Sequence, residues 1–229
     1  CTLCRGPCVL HNCPEIADVD TTLAMLRSLG AETARSGSTL VVDASRLSGC
    51  TLPSALAAKL RSSVLFAGAL LAAAGRAKIP LPGGCPLGKR PIDLHLSAFQ
   101  KMGAAYSVND GYYEITWESP HASVIEFPTV SVGATENAVL AALGCPGETT
   151  IKNAATEPEI TDFLNFLRSA GAQIRGAGTR EIQVVGGRPL GSTTYSVLPD
   201  RIETATFLFA ACGCGGEVFL RRTDVRALQ

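Results

Sequence analysis

The apolar and polar positions along the chain repeat one module three times. Residues 26–31 read Leu-Arg-Ser-Leu-Gly-Ala, and variants of this motif recur at 99–104 and 167–172, roughly seventy residues apart. In each copy a predicted helix ends at glycine, and an extended segment, a turn containing glycine and a second strand follow. The extended segments are predicted at 32–34, 105–108 and 173–175, and the second strands at 39–42, 113–117 and 181–185.

The other half of the module repeats as well. An alanine-rich helix followed by a short strand is predicted at 54–74 and 78–81, at 134–143 and 148–152, and at 203–211 and 217–220. Residues 8–10 look like the strand of a further unit. Three such units, each hiding one face of its sheet, predict an α/β fold with the helices packed at a shared centre and the sheets outside. The incomplete unit after Leu198-Pro199-Asp200 is predicted to belong to a second domain.

Two helix starts carry local signals. Thr156 and Glu159 have the spacing of a capping box, and Pro158 stands in the first turn that they predict. The helix after Arg90 is predicted to start with Pro91, a residue favoured in a first turn. The second signal places the polar residues of segment 81–95 at the junction between a strand and a helix.

Composition limits the class of function. The 229 residues are 46% hydrophobic and 17% charged, and Lys plus Arg balance Asp plus Glu at 20 each. This balance favours neither nucleic acid nor an anionic membrane as a partner. The longest apolar run, 64–74, is shorter than the roughly 18 residues that span a bilayer. Nine cysteines without a secretory signal predict reduced thiols and a cytoplasmic location. A chain that begins with Cys1 and not Met is expected to be a piece of a longer protein.

The densest chemical cluster is the segment 81–95, which reads Leu-Pro-Gly-Gly-Cys-Pro-Leu-Gly-Lys-Arg-Pro-Ile-Asp-Leu-His. It combines the thiol of Cys85 with two cations and the start of a helix. Cations and a helix N-terminus favour anions, including a thiolate, so the pKa of such a thiol is expected to fall below about 8.5. A thiol of this kind donates a proton or attacks carbon. The alternative is a surface loop with an incidental cysteine.

A second candidate site precedes the helix at 134–143. Backbone N–H groups of residues 131–133 and the Ser131 hydroxyl suit a phosphate, although a plain capped helix start explains the same residues. Arg61 is a candidate only if its helix ends at a shared anion site, and His95 is either an orienting group or structural. Cys1, Cys4, Cys8 and Cys13 suggest zinc by the spacing of the first pair, but a matching strand later in the chain contains no cysteine.

These motifs together resemble the UDP-N-acetylglucosamine 1-carboxyvinyltransferases of the enolpyruvyl transferase family. The resemblance rests on Leu-Pro-Gly-Gly-Cys at 81–85 and Arg-Pro-Ile-Asp-Leu-His at 90–95, with further matches at 18–21, 130–135, 157–160 and 198–204. It spans nearly the whole chain. The cysteine loop is specific to this family, because the sister enzyme, enolpyruvylshikimate phosphate synthase, shares the fold and lacks the loop.

The resemblance implies a fold, a reaction and partners. The family has two domains, each a threefold inside-out α/β barrel, with a cleft between them. Residues 1–198 would form the domain on the UDP-sugar side, and 199–229 the hinge and the first helix and strand of an incomplete second domain. The reaction would transfer enolpyruvate from phosphoenolpyruvate to the 3′-hydroxyl of UDP-N-acetylglucosamine and release phosphate, at the start of peptidoglycan precursor synthesis. No cofactor or metal is implied. The alternative is a module that binds a UDP-sugar without catalysis.

The resemblance also implies residue roles. Cys85 would be the general acid that protonates phosphoenolpyruvate, and the target of the epoxide antibiotic fosfomycin. Arg90 would meet phosphate groups and Arg61 would support the sugar nucleotide. The remaining substrate-binding residues would be Pro91, Ile92, Asp93 and Leu94 at the uridine, and Val130, Ser131, Val132 and Gly133 at the nucleotide and its diphosphate.

The chain departs from the family pattern at several places. Thr129 stands where a Lys is usual, which removes one cation from the phosphate side, and Leu65 stands where some members have Trp. A Lys-Asn pair of the family would lie before Cys1, and the Asp and Arg residues of the second domain would lie beyond Gln229. The sequence is therefore expected to supply one wall of an active site and to be inactive alone.

Overall fold

The structure is a computed structural model that describes residues 1–81 and 91–228, and its elements fall into three units. The first contains β1 (Cys8–His11), α1 (Ala17–Ser28), β2 (Glu32–Ser36) and β3 (Thr39–Asp43). The second contains α2 (Ser54–Ala57), a 3-10 turn (Arg61–Leu65), α3 (Phe66–Ala74), β4 (Arg76–Pro80), α4 (Asp93–Lys101), β5 (Ala104–Asn109) and β6 (Tyr112–Trp117). The third contains β7 (Val124–Glu126), α5 (Val132–Leu143), β8 (Gly147–Lys152), α6 (Pro158–Ser169), β9 (Gln173–Arg175) and β10 (Glu181–Gly186). The strand β11 (Thr193–Ser196), the helix α7 (Arg201–Cys214) and a 3-10 turn (Val225–Leu228) follow.

Each unit builds one sheet on the same plan. The strand orders are β11-β1-β3-β2, β4-β6-β5 and β7-β8-β10-β9. In each sheet a central antiparallel pair has a parallel neighbour at one edge. This neighbour is β11 in the first sheet and β7 in the third. In the second sheet it is a single residue, Thr51, which forms an isolated parallel bridge with Lys78. Alternate residues of the inner strands are buried, as expected when one sheet face packs on the core and the other faces water.

The parallel edge strands link the units into a ring. Thr51 follows β3 and joins the sheet of β4, β7 follows β6 and joins the sheet of β8, and β11 follows β10 and joins the sheet of β1. The last of these pairings, Cys8 with Thr193 through His11 with Ser196, brings the two ends of the ring together. The predicted threefold α/β architecture is confirmed, and it closes on itself within these residues.

Helices of the second and third units form the centre. In α5, Ala134, Ala138, Ala141 and Ala142 are fully buried, and α3 buries its residues from Phe66 to Leu71. The two helices approach so closely that a Cβ on Gly68 would lie 2.5 Å from the backbone oxygen of Asn137. Small residues allow this approach, because each added methyl group would displace the facing backbone. The expected close packing of alanine-rich helices is confirmed.

The repeated glycine signal also corresponds to repeated geometry. Gly30, Gly103 and Gly171 follow α1, α4 and α6, and their φ angles are 99°, 91° and 100°. Residues with a Cβ rarely adopt such angles, so glycine is the residue that ends each of these helices and turns the chain into the next strand.

Several local predictions were wrong. The helix predicted at 54–74 is broken, because Leu60 is extended with φ −130° between α2 and the 3-10 turn. The strand predicted at 217–220 is absent: no strand among the described residues lies beside this segment, and an isolated strand leaves its backbone groups unpaired. Glu157, not Thr156, precedes α6 without a side-chain cap, although Pro158 is its first residue as expected. Helix α4 begins at Asp93, two residues after Pro91.

None of the helices in the described ranges is long and apolar enough to cross a bilayer.

Candidate functional site

An open cleft of about 740 Å³ lies where the 3-10 turn, the start of α4 and the start of α5 meet. It contains charges of both signs, from Lys59 and Arg61 and from Asp18 and Glu136. The other lining residues are Leu60, Ser62, Val64, Leu65, Pro91, His95, Ser131 and Gly133. The sequence motifs therefore converge, because four of the predicted binding residues, Arg61, Pro91, Ser131 and Gly133, share this one cleft.

The break in the predicted helix brings Arg61 to the cleft. The chain is extended at Leu60 and turns again at Arg61, so the arginine stands at the start of the 3-10 turn and not along a helix side. The buried Ser63 stabilises the break, because its hydroxyl donates to the carbonyl oxygens of Leu60 at 2.7 Å and Ala57 at 3.2 Å. Carbonyl groups that lose helical partners at the break thereby gain a donor. Arg61 therefore lines the cleft, and an anion shared with the α5 start stays a prediction.

The N-terminus of α5 forms another part of the cleft. Ser131 caps the helix, and its Oγ accepts a hydrogen bond from the N–H of Ala134 at 3.3 Å. The carbonyl oxygen of Ser131 accepts from the Thr135 hydroxyl at 2.8 Å. A helix start carries partial positive charge and unpaired N–H groups, which attract anions. The capped start explains the Ser131 geometry, and a phosphate at this position stays a prediction.

His95 lies on α4 behind this helix start and is 6% exposed. Its Nδ1 is 2.7 Å from the side-chain nitrogen of the fully buried Asn137. Burial, together with the positive charge of Arg61, lowers the pKa of His95 to about 4. His95 is therefore neutral at physiological pH.

Glu136 faces the cleft from the second turn of α5. Burial, together with the charge of Glu159 on α6, raises the pKa of Glu136 to about 7. Sequence reasoning did not select Glu136. Its signal was available, because Glu136 and Asn137 are polar residues within an otherwise alanine-rich helix that the repeats place at the centre of the fold.

Five further predicted site residues that the structure describes lie near the cleft in sequence without lining it. Ile92 is 3% exposed and belongs to the core, while Asp93 is exposed and Leu94 is partly buried. Val130 and Val132 are 38% and 37% exposed on either side of Ser131. Cys85 and Arg90 lie outside the described residues.

The N-terminal cysteines do not form a metal site. Cys4, Cys8 and Cys13 are buried and pack in the hydrophobic core. Across residues 1–81 and 91–228, no group of three or more His, Cys, Asp or Glu side chains is placed to hold a metal ion. These thiols behave as small apolar core residues.

A larger cavity of about 1060 Å³ lies between Phe163 of α6 and Phe207 of α7. None of the predicted site residues that the structure describes lines this cavity.

Comparison with known proteins identifies the family of this chain. The family model described as EPSP synthase (3-phosphoshikimate 1-carboxyvinyltransferase) matches residues 1–229. Among curated relatives, a UDP-N-acetylglucosamine 1-carboxyvinyltransferase of Shewanella amazonensis is 42% identical over 228 residues, which are 99% of this chain and 54% of the relative. A protein of the same name from Paracoccus denitrificans is 45% identical over 216 residues, 93% of this chain and 51% of the relative.

Solved structures share the fold. The enolpyruvyl transferase NikO from Streptomyces tendae superposes with a TM-score of 0.80 at 25% identity, over 92% of this chain and 50% of that one. An EPSP synthase from Acinetobacter baumannii superposes with a TM-score of 0.71 at 23% identity, over 91% of this chain and 48% of that one. The chain thus spans about half the length of the relatives it matches. On these matches, the chain belongs to the EPSP synthase family of enolpyruvyl (carboxyvinyl) transferases.

Proposed function

We propose that this chain forms the UDP-sugar side of a UDP-N-acetylglucosamine 1-carboxyvinyltransferase. The whole protein would transfer enolpyruvate from phosphoenolpyruvate to the 3′-hydroxyl of UDP-N-acetylglucosamine and release phosphate. The observation that carries the proposal is the shared cleft, in which Arg61, Pro91, Ser131 and Gly133 come together from three separate segments. The names of the relatives and the motifs at 81–95 support the same substrate.

The cleft suits a sugar nucleotide for physical reasons. A diphosphate carries negative charge, and here it would meet the guanidinium of Arg61 and the N-terminus of α5. Arg90, next to Pro91 in the sequence, would add a second guanidinium. Thr129 in place of Lys leaves the phosphate side with one cation fewer than is usual in the family.

Cys85 would carry the acid step. Its thiol would donate a proton to the methylene carbon of phosphoenolpyruvate while the sugar 3′-hydroxyl adds to the neighbouring carbon. The tetrahedral intermediate would then lose phosphate and a proton from the new methyl group, which restores the double bond. This chain would form one wall of the site. The coverage of about half of each relative supports this division.

We further propose that residues 199–229 belong to the second domain and 1–198 to the first. The exposure of α7 supports this boundary, since Thr204 is its one buried residue. Phe207 and Phe209 of the same helix are 51% and 77% exposed. A helix with apolar side chains in water is typical of a segment that packs against further protein.

Binding to the 229-residue chain tests the substrate. We expect titration calorimetry to detect UDP-N-acetylglucosamine, and Arg61→Ala to weaken its affinity at least about tenfold, because a charge-assisted bond to phosphate is worth about 1.5–3 kcal/mol. Arg76→Ala is the matched control, since Arg76 is an exposed arginine outside the cleft. No heat at millimolar ligand, or equal losses in both variants, would contradict the assignment.

Turnover by the full-length parent tests the reaction. Release of phosphate from phosphoenolpyruvate should require UDP-N-acetylglucosamine and fall by at least about a hundredfold in Cys85→Ala, as general acid catalysis contributes about 10²–10⁴. Cys50→Ala is the control, because Cys50 is a partly exposed thiol outside the cleft. Binding without any turnover by the parent would favour the alternative, a UDP-sugar-binding module.

A further inference from the structure

Asn137 joins three segments of the central core through one buried amide. Its Oδ1 accepts a hydrogen bond from the Gly68 N–H at 2.9 Å, and its Nδ2 donates to the Val64 carbonyl at 2.9 Å. The same Nδ2 is 2.7 Å from Nδ1 of His95. Asn137 is fully buried, so these bonds replace the ones that water would make.

The backbone partners determine which way the amide points. The Gly68 N–H can only donate and the Val64 carbonyl can only accept. Exchanging the amide oxygen and nitrogen would place two donors against each other at Gly68 and two acceptors against each other at Val64. The NH₂ group of Asn137 must therefore face His95.

This orientation determines the tautomer of His95. A donor at 2.7 Å requires a lone pair on Nδ1, so the single proton of the neutral imidazole lies on Nε2. The low pKa of His95, caused by burial and by Arg61, agrees with a neutral ring. The charged groups around the ring are Arg61 of the 3-10 turn, Asp93 of its own helix and, elsewhere in the cleft lining, Asp18, Lys59 and Glu136.

The Nε2 edge of the ring lies at the start of α5. A Cβ on Gly133 would be 3.3 Å from Cε1 and 3.7 Å from Nε2 of His95. Gly133 and His95 both line the cleft, beside Ser131. The Nε2–H donor therefore lies beside a helix N-terminus, whose partial positive charge favours anions.

We propose that Asn137 is a positioning residue that locks His95 as a neutral Nε2–H donor towards the phosphate groups of the ligand in this cleft. The inference rests on the proposed function for the identity of the ligand, but the locked tautomer stands on the contacts alone. The opposite tautomer would turn a lone pair of Nε2 towards a phosphate oxygen, which is repulsive. Asn137 prevents the opposite tautomer although its own side chain does not line the cleft.

The tautomer can be measured without any ligand, by ¹⁵N NMR of the imidazole nitrogens in the 229-residue chain. His95→Gln identifies the His95 signals among those of the three histidines. We expect a protonated Nε2 and an unprotonated Nδ1 between pH 5.5 and 8. A protonated Nδ1, or an imidazolium at pH 7, would overturn the proposal.

Asn137→Asp tests the cause. A carboxylate still accepts from Gly68 but cannot donate to Nδ1, so it should draw the proton of His95 to Nδ1 and raise the imidazole pKa. Asn165→Asp is the matched control, because Asn165 is an exposed asparagine on α6. An unchanged Nε2–H tautomer in Asn137→Asp would refute the positioning role.

A binding experiment on His95 variants tests the proposal without requiring that the Asn137 variant folds. The probe is uridine diphosphate at pH 7.5, measured by calorimetry. His95→Gln keeps a donor near the position of Nε2 and should retain most of the affinity, whereas His95→Asn ends near the position of Nδ1 and should lose about tenfold. Equal losses would show that the Nε2 donor does not contact the ligand. The unsubstituted 229-residue chain could show the expected tautomer and no affinity for the probe. That result would refute the donor role and the proposed substrate, but the control of the tautomer by Asn137 would still stand.

Discussion

Two residues of the cleft have pKa values shifted in opposite directions, each against its charged form. The fold keeps His95 neutral down to about pH 4, whereas the unfolded chain binds that proton near 6.5. It keeps Glu136 protonated up to about pH 7, whereas the unfolded chain releases that proton near 4.5. His95 therefore lowers stability as pH falls from 6.5 towards 4, and Glu136 lowers stability as pH rises from 4.5 towards 7. Between about pH 4.5 and 6.5 the two effects oppose each other.

Replacing the carboxyl group should separate these effects. In Glu136→Gln the side chain stays neutral at every pH, so the variant escapes the loss of stability that the parent suffers above pH 4.5. We expect the free energy of unfolding of the variant, relative to the parent, to rise by about 3 kcal/mol between pH 4.5 and 7. Urea unfolding at several pH values measures it. A constant difference would show that Glu136 is charged in the folded chain.

At the residue scale, sequence motifs predicted four of the residues that meet in the cleft. They did not predict Glu136, and they left the role of His95 open. Both residues depend on neighbours far away in sequence: His95 contacts Asn137, which is 42 residues away, and Glu136 is influenced by Glu159, which is 23 residues away. Local patterns contain no information on such pairs, because burial and hydrogen bonding are set by the packing of helices.

At the scale of elements, α3 and α5 approach each other closely in the core. A Cβ on Gly68 would lie 2.5 Å from the backbone oxygen of Asn137 and 2.7 Å from its Oδ1. Backbone cannot move aside as a flexible side chain does, so a methyl group here must push the two helices apart.

Gly68→Ala is therefore expected to destabilise the chain by about 1–3 kcal/mol through overpacking, measured by chemical unfolding. Gly213→Ala is the matched control, because Gly213 lies in helix α7 with nothing within 4 Å of its added Cβ. Alanine at that position should be neutral or stabilise by up to about 1 kcal/mol. Equal effects in both variants would mean that the helices do not touch at Gly68.

Elements differ in how far their sequence predicts them. The helices that end at Gly30, Gly103 and Gly171 follow a strong local signal, and all three are confirmed. The break at Leu60 has no such signal, since the segment 54–74 has the composition of one continuous helix. The local hydrogen bonds of Ser63 and the tertiary hydrogen bond from Asn137 to Val64 stabilise the broken form. The short edge strands β7 and β11 were not predicted, because their parallel partners lie on other parts of the chain.

At the scale of the whole molecule, the ring of three sheets depends on β11. This strand covers the edge of β1, and Tyr195 within it donates to Asp162 Oδ1 at 2.8 Å. Tyr195 also packs edge-on against Phe166, with ring centroids 5.7 Å apart. By contrast, α7 is tied to the ring by an ion pair of Arg201 with Glu159 whose partners are partly exposed.

Two truncations should show this difference. A chain of residues 1–198 keeps β11 and should stay folded with a stability within about 1 kcal/mol of the parent, because a surface ion pair contributes little. A chain of residues 1–190 loses β11, and we expect it to lose at least about 2 kcal/mol, from the Tyr195 hydrogen bond and the aromatic pair. Its uncovered β1 edge should also promote aggregation. Thermal unfolding and light scattering measure both effects.

The outcome also tests the proposed domain boundary. If 1–198 unfolds while the 229-residue chain is folded, α7 belongs to the first domain and the boundary at 198 is wrong. If both truncated chains are equally stable, β11 does not close the ring in solution.

The sequence by itself determined the repeated module, the order of most elements and the family, because helix periodicity, glycine at helix ends and contiguous motifs are local properties of the chain. The tertiary structure alone decided that β11 closes the ring, that the helix breaks before Arg61, and that Asn137 contacts His95. These features arise from pairings between distant segments, whose free energy exists only once the helices and sheets have packed. The role of Cys85 stays a prediction from its motif, and the described structure shows the cleft in which its proposed partners Arg61, Pro91, Ser131 and Gly133 meet.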